Sequence, residues 1–379
     1  MRMRTTCVAG AVLALTLAGR AHAAGVTGVM LGSSWRSWTA TDQSSPFSSL
    51  SQGSGQLAIG VGLTPNADLV IATAGAATKL ESASGDRSLD GVGAVSGAVL
   101  LRLASERLLL KLTTTLPTGT RELDVDQLAV LESIGQPLLG FAVRHLGTGL
   151  EAGGSAAWRV HDGPGHRVSV GAGGVVRGAY TLANGMDDLH PAPEWAVTTG
   201  FERRGADSAP APLRVDLTWR GFGTDRFGDE DVFREGGQLE AQLAVQGDAA
   251  PLHGIAVARA VVKARNELLA PAGSAVASIR VRSGNVSAIR LQGDRDAGAD
   301  VRFGLVAEGV VVTSSEAEGR NGYVLGAGPH VRFGVGSGAS VDVGARYEAG
   351  RVDGIDGAPR HGIHGVAVDL RLQWAPSAP

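Results

Sequence analysis

Cysteine, lysine, aromatic residues and long apolar runs are all scarce in this 379-residue chain. Each scarcity excludes something. The one cysteine, Cys7, lies in what reads as a cleaved leader, so the remainder is expected to have no disulfide, iron–sulfur cluster or zinc–thiolate site. Beyond the leader, nothing approaches the roughly 18 consecutive apolar residues of a membrane-crossing helix. Aromatic residues make up 4% of the chain, too few for the core of a soluble β-sandwich this long. Positive charge is not in excess either, and a formal net charge of −3 leaves no footprint for nucleic acid. A Walker-type phosphate loop is absent, and glycine-rich pieces such as Gly171-Ala172-Gly173-Gly174 fall inside strand patterns, where glycine marks a bend or close packing.

The leader is read over residues 1–23. Arg2 and Arg4 precede an apolar run from Val8 to Ala18, and Ala21-His22-Ala23 supplies small residues for a cut after Ala23. The run is too short to span a bilayer as a helix, and Cys7 is too early to carry a lipid. Loss of Arg2, Arg4 and Arg20 with the leader takes the formal charge from −3 to about −6.

What the chain has in abundance is alternation. In Gly365-Val366-Ala367-Val368-Asp369-Leu370-Arg371-Leu372-Gln373-Trp374 the apolar residues Val366, Val368, Leu370, Leu372 and Trp374 share one face of an extended chain. The pattern recurs in Leu213–Arg220, Val301–Glu308, Tyr323–Phe333 and Val341–Glu348, within segments of about nine to thirteen residues, as long as a membrane-spanning strand requires. Short connections (161–165, 204–210, 247–251, 335–338) alternate with long ones (80–91, 117–149, 181–191, 223–235, 267–282, 313–321, 351–361). The expected fold is therefore all-β. It is a transmembrane antiparallel up-and-down barrel of about sixteen strands over 24–374, with both ends on the short-turn side and a short tail at 375–379. Fourteen strands is the alternative, because the first pair is weakly patterned.

The few aromatics are expected at the two membrane interfaces. Trp195, Trp219, Tyr180, Tyr323 and Tyr347 fall at strand ends on the long-loop side. Trp158, Phe201, Phe303, Phe333 and Trp374 fall on the short-turn side. The opposite face collects charge: Lys111, Arg214, Asp216, Arg220, Glu240, Arg259, Lys263, Arg265, Arg290, Arg302, Glu308, Arg332, Asp342, Arg346, Glu348, Asp369 and Arg371. Charge is costly in hydrocarbon, so this face should line a lumen. Two readings stay open. One is a polar pore favouring anionic or polar solutes. The other is a closed structural or surface-interaction barrel filled by ion pairs.

The longest connection, 117–149, contains a helical stretch, Asp124 to Ile134, with Leu128 and Leu131 on one side and Asp124 with Gln127 as a capping box. Leu116, Pro117, Thr118 and Gly119 lead into it. Long loops with their own structure tend to be functional or to fold inward, so this one is the candidate gate. A rim-covering helix is the alternative. His361 and His364 lie on opposite faces of a strand, and the acidic group Asp225, Asp229, Glu230 and Asp231 lacks the spacing of a calcium loop, so no metal site is expected. No local signature joins a serine to a histidine, and enzyme activity, as a barrel lipid hydrolase, is not expected.

Leu116-Pro117-Thr118-Gly119, Leu139-Gly140-Phe141-Ala142-Val143 and Leu146-Gly147-Thr148-Gly149 resemble bacterial outer-membrane β-barrel transporters of the group associated with the MetA pathway of phenol degradation. The likeness is best over about 90–160. It continues through Gly223-Thr224-Asp225, Val232-Phe233-Arg234 and Lys263-Ala264-Arg265-Asn266-Glu267. It implies an outer-membrane location, outer-membrane lipid and a small-molecule solute as partners, no cofactor, and passive diffusion of hydrophobic or aromatic compounds. There are two departures from the related hydrocarbon and fatty-acid channels. Patterned strands begin soon after the leader, leaving no N-terminal hatch, and the last strand ends at Trp374 instead of a terminal Phe.

Overall fold

The computed structural model describes residues 25–376, apart from 43–44, 46, 121, 184–185, 204–211, 271–276, 317–319, 337 and 354–359. The leader at 1–23, the turn at 204–210 and the last residues of the tail therefore lie outside the described residues.

In chain order the strands are β1 (Gly25–Ala40), β2 (Ser49–Thr64), β3 (Ala67–Ser82), β4 (Gly85–Val92), β5 (Val95–Leu103), β6 (Leu108–Leu116), β7 (Glu151–Asp162) and β8 (His166–Arg177). The chain continues through β9 (Leu189–His190), β10 (Glu194–Arg203), β11 (Leu213–Phe222), β12 (Thr224–Phe227), β13 (Glu230–Arg234), β14 (Gln238–Ala249) and β15 (Leu252–Lys263). It finishes with β16 (Asn266–Leu268), β17 (Ile279–Val281), β18 (Ser283–Asp296), β19 (Val301–Ser315), β20 (Gly322–Gly334), β21 (Ala339–Val352) and β22 (His361–Trp374). The helix α1 (Val125–Ile134) lies between β6 and β7.

A closed antiparallel barrel is formed by all of these except β9, β12, β13, β16 and β17. β1 pairs with β2 on one side and with β22 on the other, so no edge is left. Closure matters because unpaired backbone polar groups cannot be satisfied in lipid. β3 pairs with β4 along its outer part and with β5 along its inner part, so these two count as one interrupted strand and the ring has sixteen. The interruption falls beside the start of the long connection, where the Thr120 N–H donates to the Val92 carbonyl at 3.2 Å.

The two faces separate as alternation requires. In β22, Val366, Val368, Leu370, Leu372 and Trp374 are between 37% and 47% exposed, whereas Ala367 between them is 1% exposed. Leu217, Leu243, Leu291, Leu305 and Leu325 are exposed in the same way on other strands. A continuous apolar outer face on a closed sixteen-strand ring is the surface of a transmembrane barrel. Trp158, Trp195, Trp219, Phe303, Tyr323, Phe333, Tyr347 and Trp374 are all exposed on barrel strands. Tyr180 differs from expectation. β8 stops at Arg177, and Tyr180 lies in the following connection, exchanging backbone hydrogen bonds with Leu189 at 3.0 Å.

The long-loop side holds more structure than alternation suggests. The expected loop at 80–91 is a hairpin that carries β3 and β4 beyond a spanning length. β2 likewise begins as far out as Ser49 and runs for 16 residues. The connections at 181–191, 223–235 and 267–282 contribute β9, β12, β13, β16 and β17, which form a second, five-stranded sheet. Asp225, from the acidic group, is buried and accepts the Ala192 N–H at 2.7 Å. It therefore ties two outer connections together. Among the described residues no group of His, Cys, Asp or Glu could hold a metal ion.

Candidate functional site

The connection between β6 and β7 folds into the ring at its long-loop end. Asp124 starts the helix: its carboxylate accepts the Gln127 N–H at 2.7 Å, and the Gln127 side chain accepts the Asp124 N–H at 3.1 Å. Such a box satisfies two N–H groups that the first helical turn leaves unpaired. Asp124→Ala should cost about 1 kcal/mol of local helix stability. The expected readout is faster amide exchange over residues 125–130 with barrel melting unchanged.

Helix α1 buries Val130 and Ile134, with Leu128 and Leu131 partly buried beside them. A short 3-10 turn, Pro137–Leu139, follows, all of it buried. Phe141, Val143 and Leu146 complete the buried side of the segment. The wall answers with apolar residues on the charged face, near the outer strand ends: Trp38, Leu50, Leu80, Leu89, Val312, Val324, Val352 and Ile363. Helix α1 packs on β3 and β4, and the 3-10 turn reaches β19 and β20. The plug thus seats against one half of the ring, from β19 round to β4. Among the described residues, β6, β7, β8, β10, β11, β14 and β15 contribute nothing to this apolar cluster. Ala142 and His145, away from the buried side, are exposed.

Polar side chains of the wall hold the plug backbone. Arg36 donates to the Leu139 carbonyl (3.1 Å) and the Gly140 carbonyl, and its other terminal nitrogen pairs with Glu348 at 3.0 Å. The Trp38 indole N–H donates to the same Leu139 carbonyl at 2.9 Å. Gln52 donates to the Val143 carbonyl (2.7 Å) and accepts the Val143 N–H (3.1 Å). Gly140 has a φ of +59°, and a Cβ there would fall on the Arg36 guanidinium, so both conformation and space call for glycine. Two ion pairs flank the plug, Arg87–Asp126 at 2.9 Å and Arg320–Glu132 at 2.9 Å.

The remaining charges form two alternating ladders. The first crosses β7, β8, β10, β11, β14 and β15. Arg177 joins Glu151 (3.3 Å) to Glu194 (2.7 Å), Arg220 joins Glu194 (3.5 Å) to Glu240 (2.7 Å), and Arg259 meets Glu240 at 2.6 Å. The second crosses β18 to β1. Arg290 meets Glu308 (2.5 Å), and Arg346 lies near Glu308 (3.7 Å), Glu348 (3.7 Å) and Asp369 (2.7 Å), with Arg36 on Glu348. Nearer the short-turn end, Arg302 pairs with Asp296 at 2.8 Å, Arg332 with Asp342 at 2.7 Å and Arg214 with Asp216 at 2.6 Å. His253 bridges Asp248 and Asp296, and His330 bridges Asp294 and Asp342. These two histidines are engaged by carboxylates, not by serine.

Of the other sequence candidates, Lys111 lies on the same alternating face of β6 as Thr113 and Thr115. Arg371 stands opposite Asp342 in register, while Asp342 itself is taken by Arg332 and His330. On the outer rim, Glu316 accepts the Arg282 N–H at 3.1 Å and pairs with Arg265 at 2.8 Å. The Arg282 N–H first, and then Arg265, hold its carboxyl below the usual carboxylate range. Sequence reasoning missed Arg36, Gln52, Glu151, Arg177 and Glu194. Arg36 was detectable: Trp38 shares its face of β1, and a tryptophan on a polar face signals something apolar opposite.

No protein-family model matches the chain, and no curated protein is similar to it in sequence. Among solved structures, OccK11 (OpdR) of Pseudomonas aeruginosa is similar at 11% identity and a TM-score of 0.44, covering 92% of this chain and 95% of that one. The outer membrane channel DcaP of Acinetobacter baumannii is similar at 12% identity and a TM-score of 0.44, covering 93% and 97%. The CymD monoaromatic hydrocarbon channel follows at 10% identity and a TM-score of 0.43, covering 93% and 89%. Likeness at this level carries no argument about activity.

Proposed function

We propose that this chain is an outer-membrane channel for passive diffusion of small molecules, exported by the leader at 1–23 and gated by the connection at 117–149. One observation carries the reading: the plug is seated off-centre. It fills the half of the ring from β19 to β4, and the strands of the first charged ladder lie outside its apolar cluster. Ion-pair wall residues outside the plugged half retain wide solvent access, with the Arg214 side chain 55% and the Arg259 side chain 40% exposed. Charged walls suit polar solutes, and the family resemblance implies hydrophobic or aromatic ones. A small aromatic acid would satisfy both.

A closed structural barrel is the second reading. It is favoured by the balance within each ladder, where every carboxylate meets an arginine. Single-channel recording in planar bilayers separates the two. The native chain should conduct weakly or intermittently. A variant with residues 124–134 replaced by a short Gly-Ser linker should conduct steadily and more strongly. Silence from both proteins would end the channel reading in favour of the closed barrel.

A further inference from the structure

The two ladders do not join. The first ends at Arg259 on β15 and the second at Arg290 on β18, and these strands are neighbours. In register, Arg259 stands opposite Ala288 and Arg290 opposite Val257. Residues directly opposite in an antiparallel pair point the same way, so both arginines lie on one face as diagonal neighbours. Diagonal positions are roughly 7–8 Å apart, within reach of two long side chains converging on one small group. Each arginine is anchored from its far side only, Arg259 by Glu240 and Arg290 by Glu308, and no described carboxylate lies between them. Both side chains stay open, at 40% and 47% exposure.

Lys263 lies on the same face of β15, four residues further out, or roughly 13 Å by strand rise. Among the described residues it has no carboxylate oxygen within 4.0 Å. The acid Glu235 and the cations Arg259, Arg144 and Arg320 act on its charge, and Glu240 stands diagonally across on β14. Within each ladder cation and anion alternate. At this seam Arg259 and Arg290 follow one another with no acid between them, while Glu240, opposite Val261 on β14, stands between Arg259 and Lys263.

We propose that the β15–β18 seam is a binding site for a small anion bearing a carboxylate or phosphate, held by Arg259 and Arg290, with Lys263 as the outer step leading to it. The inference deepens the channel reading by naming a solute class. The site's chemistry stands without transport: two guanidinium groups, each fixed by one carboxylate, offer their remaining N–H donors to oxyanion pairs. Cation clusters of this kind also make a pore select anions.

The test uses the full chain in two formats: calorimetric titration of the detergent-solubilised barrel with inorganic phosphate, and reversal potential across a KCl gradient in planar bilayers. Arg259→Gln with Arg290→Gln is the main variant. It retains the fold's supports, because Glu240 keeps Arg220 and Glu308 keeps Arg346. Arg290→Gln alone and Lys263→Gln are milder variants that serve if the double variant does not fold. Arg360→Gln, on an outer connection, is the control. The native chain should bind phosphate and prefer chloride to potassium. The double variant should weaken phosphate binding by about tenfold or more, since two charge-assisted contacts go, and should lose the chloride preference. The single variants should shift both readouts in the same direction by less, and the control should shift neither. Absence of phosphate binding in the native chain, or equal binding in the native and Gln variants, overturns the site. A conducting barrel with no phosphate binding would keep the channel reading and remove the site. A silent barrel that binds phosphate through these arginines would do the reverse.

Discussion

Arg36→Ala is expected to release the plug while leaving the barrel folded. The Arg36 side chain is 14% exposed and its partner Glu348 is 4% exposed. The guanidinium is the link between the wall and two successive plug carbonyls, those of Leu139 and Gly140. Removing one member of a buried pair leaves the other charged and poorly solvated, which typically costs about 3–5 kcal/mol. Glu348 would retain only Arg346, at 3.7 Å. The ring itself is held by interstrand hydrogen bonds that do not involve this side chain. The cost should therefore fall on the seating of the plug. A cysteine reporter at position 130, with Cys7 replaced by serine, gives the readout, because Val130 is fully buried in the native chain. Maleimide labelling should be slow in the native background and fast with Arg36→Ala, and conductance should rise in parallel. Trp38→Phe keeps the packing and loses one hydrogen bond, so its effect should be smaller. Unchanged labelling with Arg36→Ala would show that the apolar cluster alone holds the plug.

Leu370→Arg is expected to block stable insertion. Leu370 is exposed on the outer face of β22, between Trp374 at the inner end and Val366, which stands opposite Tyr347 toward the outer end. It therefore sits near the middle of the apolar band, where an arginine costs about 2–4 kcal/mol. Urea titration of the barrel refolded into vesicles, followed by heat-modifiable gel mobility, should show a lower midpoint for Leu370→Arg. Arg371→Leu, one residue on and facing the other way, should show no such loss. Equal midpoints for Leu370→Arg and the native chain would mean that this face does not meet lipid.

The sequence by itself determined whatever depends on local period. Strand β22 was legible in ten residues because its side chains alternate across the sheet, and the same period repeated often enough to count about sixteen strands, with fourteen left as the alternative by the weakly patterned first pair. The Asp124–Gln127 capping box was legible because a cap is a contact across three residues. Arg259 and Lys263 were legible as members of the charged face for the same reason as Leu370 was of the apolar one.

Only the tertiary structure decided how those faces are used. Helix α1 buries Val130 and Ile134 with Leu128 and Leu131 at its flanks, because the wall it meets belongs to β3 and β4 and is distant in sequence. Short strands such as Leu189–His190 and Asn266–Leu268 have too few residues for a period, and exist only because neighbouring connections pair with them. The order of the ladders, and the gap between Arg259 and Arg290, depends on the register between strands that are neighbours in the ring but separated in the chain by other connections, such as β15 and β18. Alternation says which way a side chain points and leaves open its neighbours along the barrel axis. That freedom ends when β22 pairs with β1, since closure fixes every register at once.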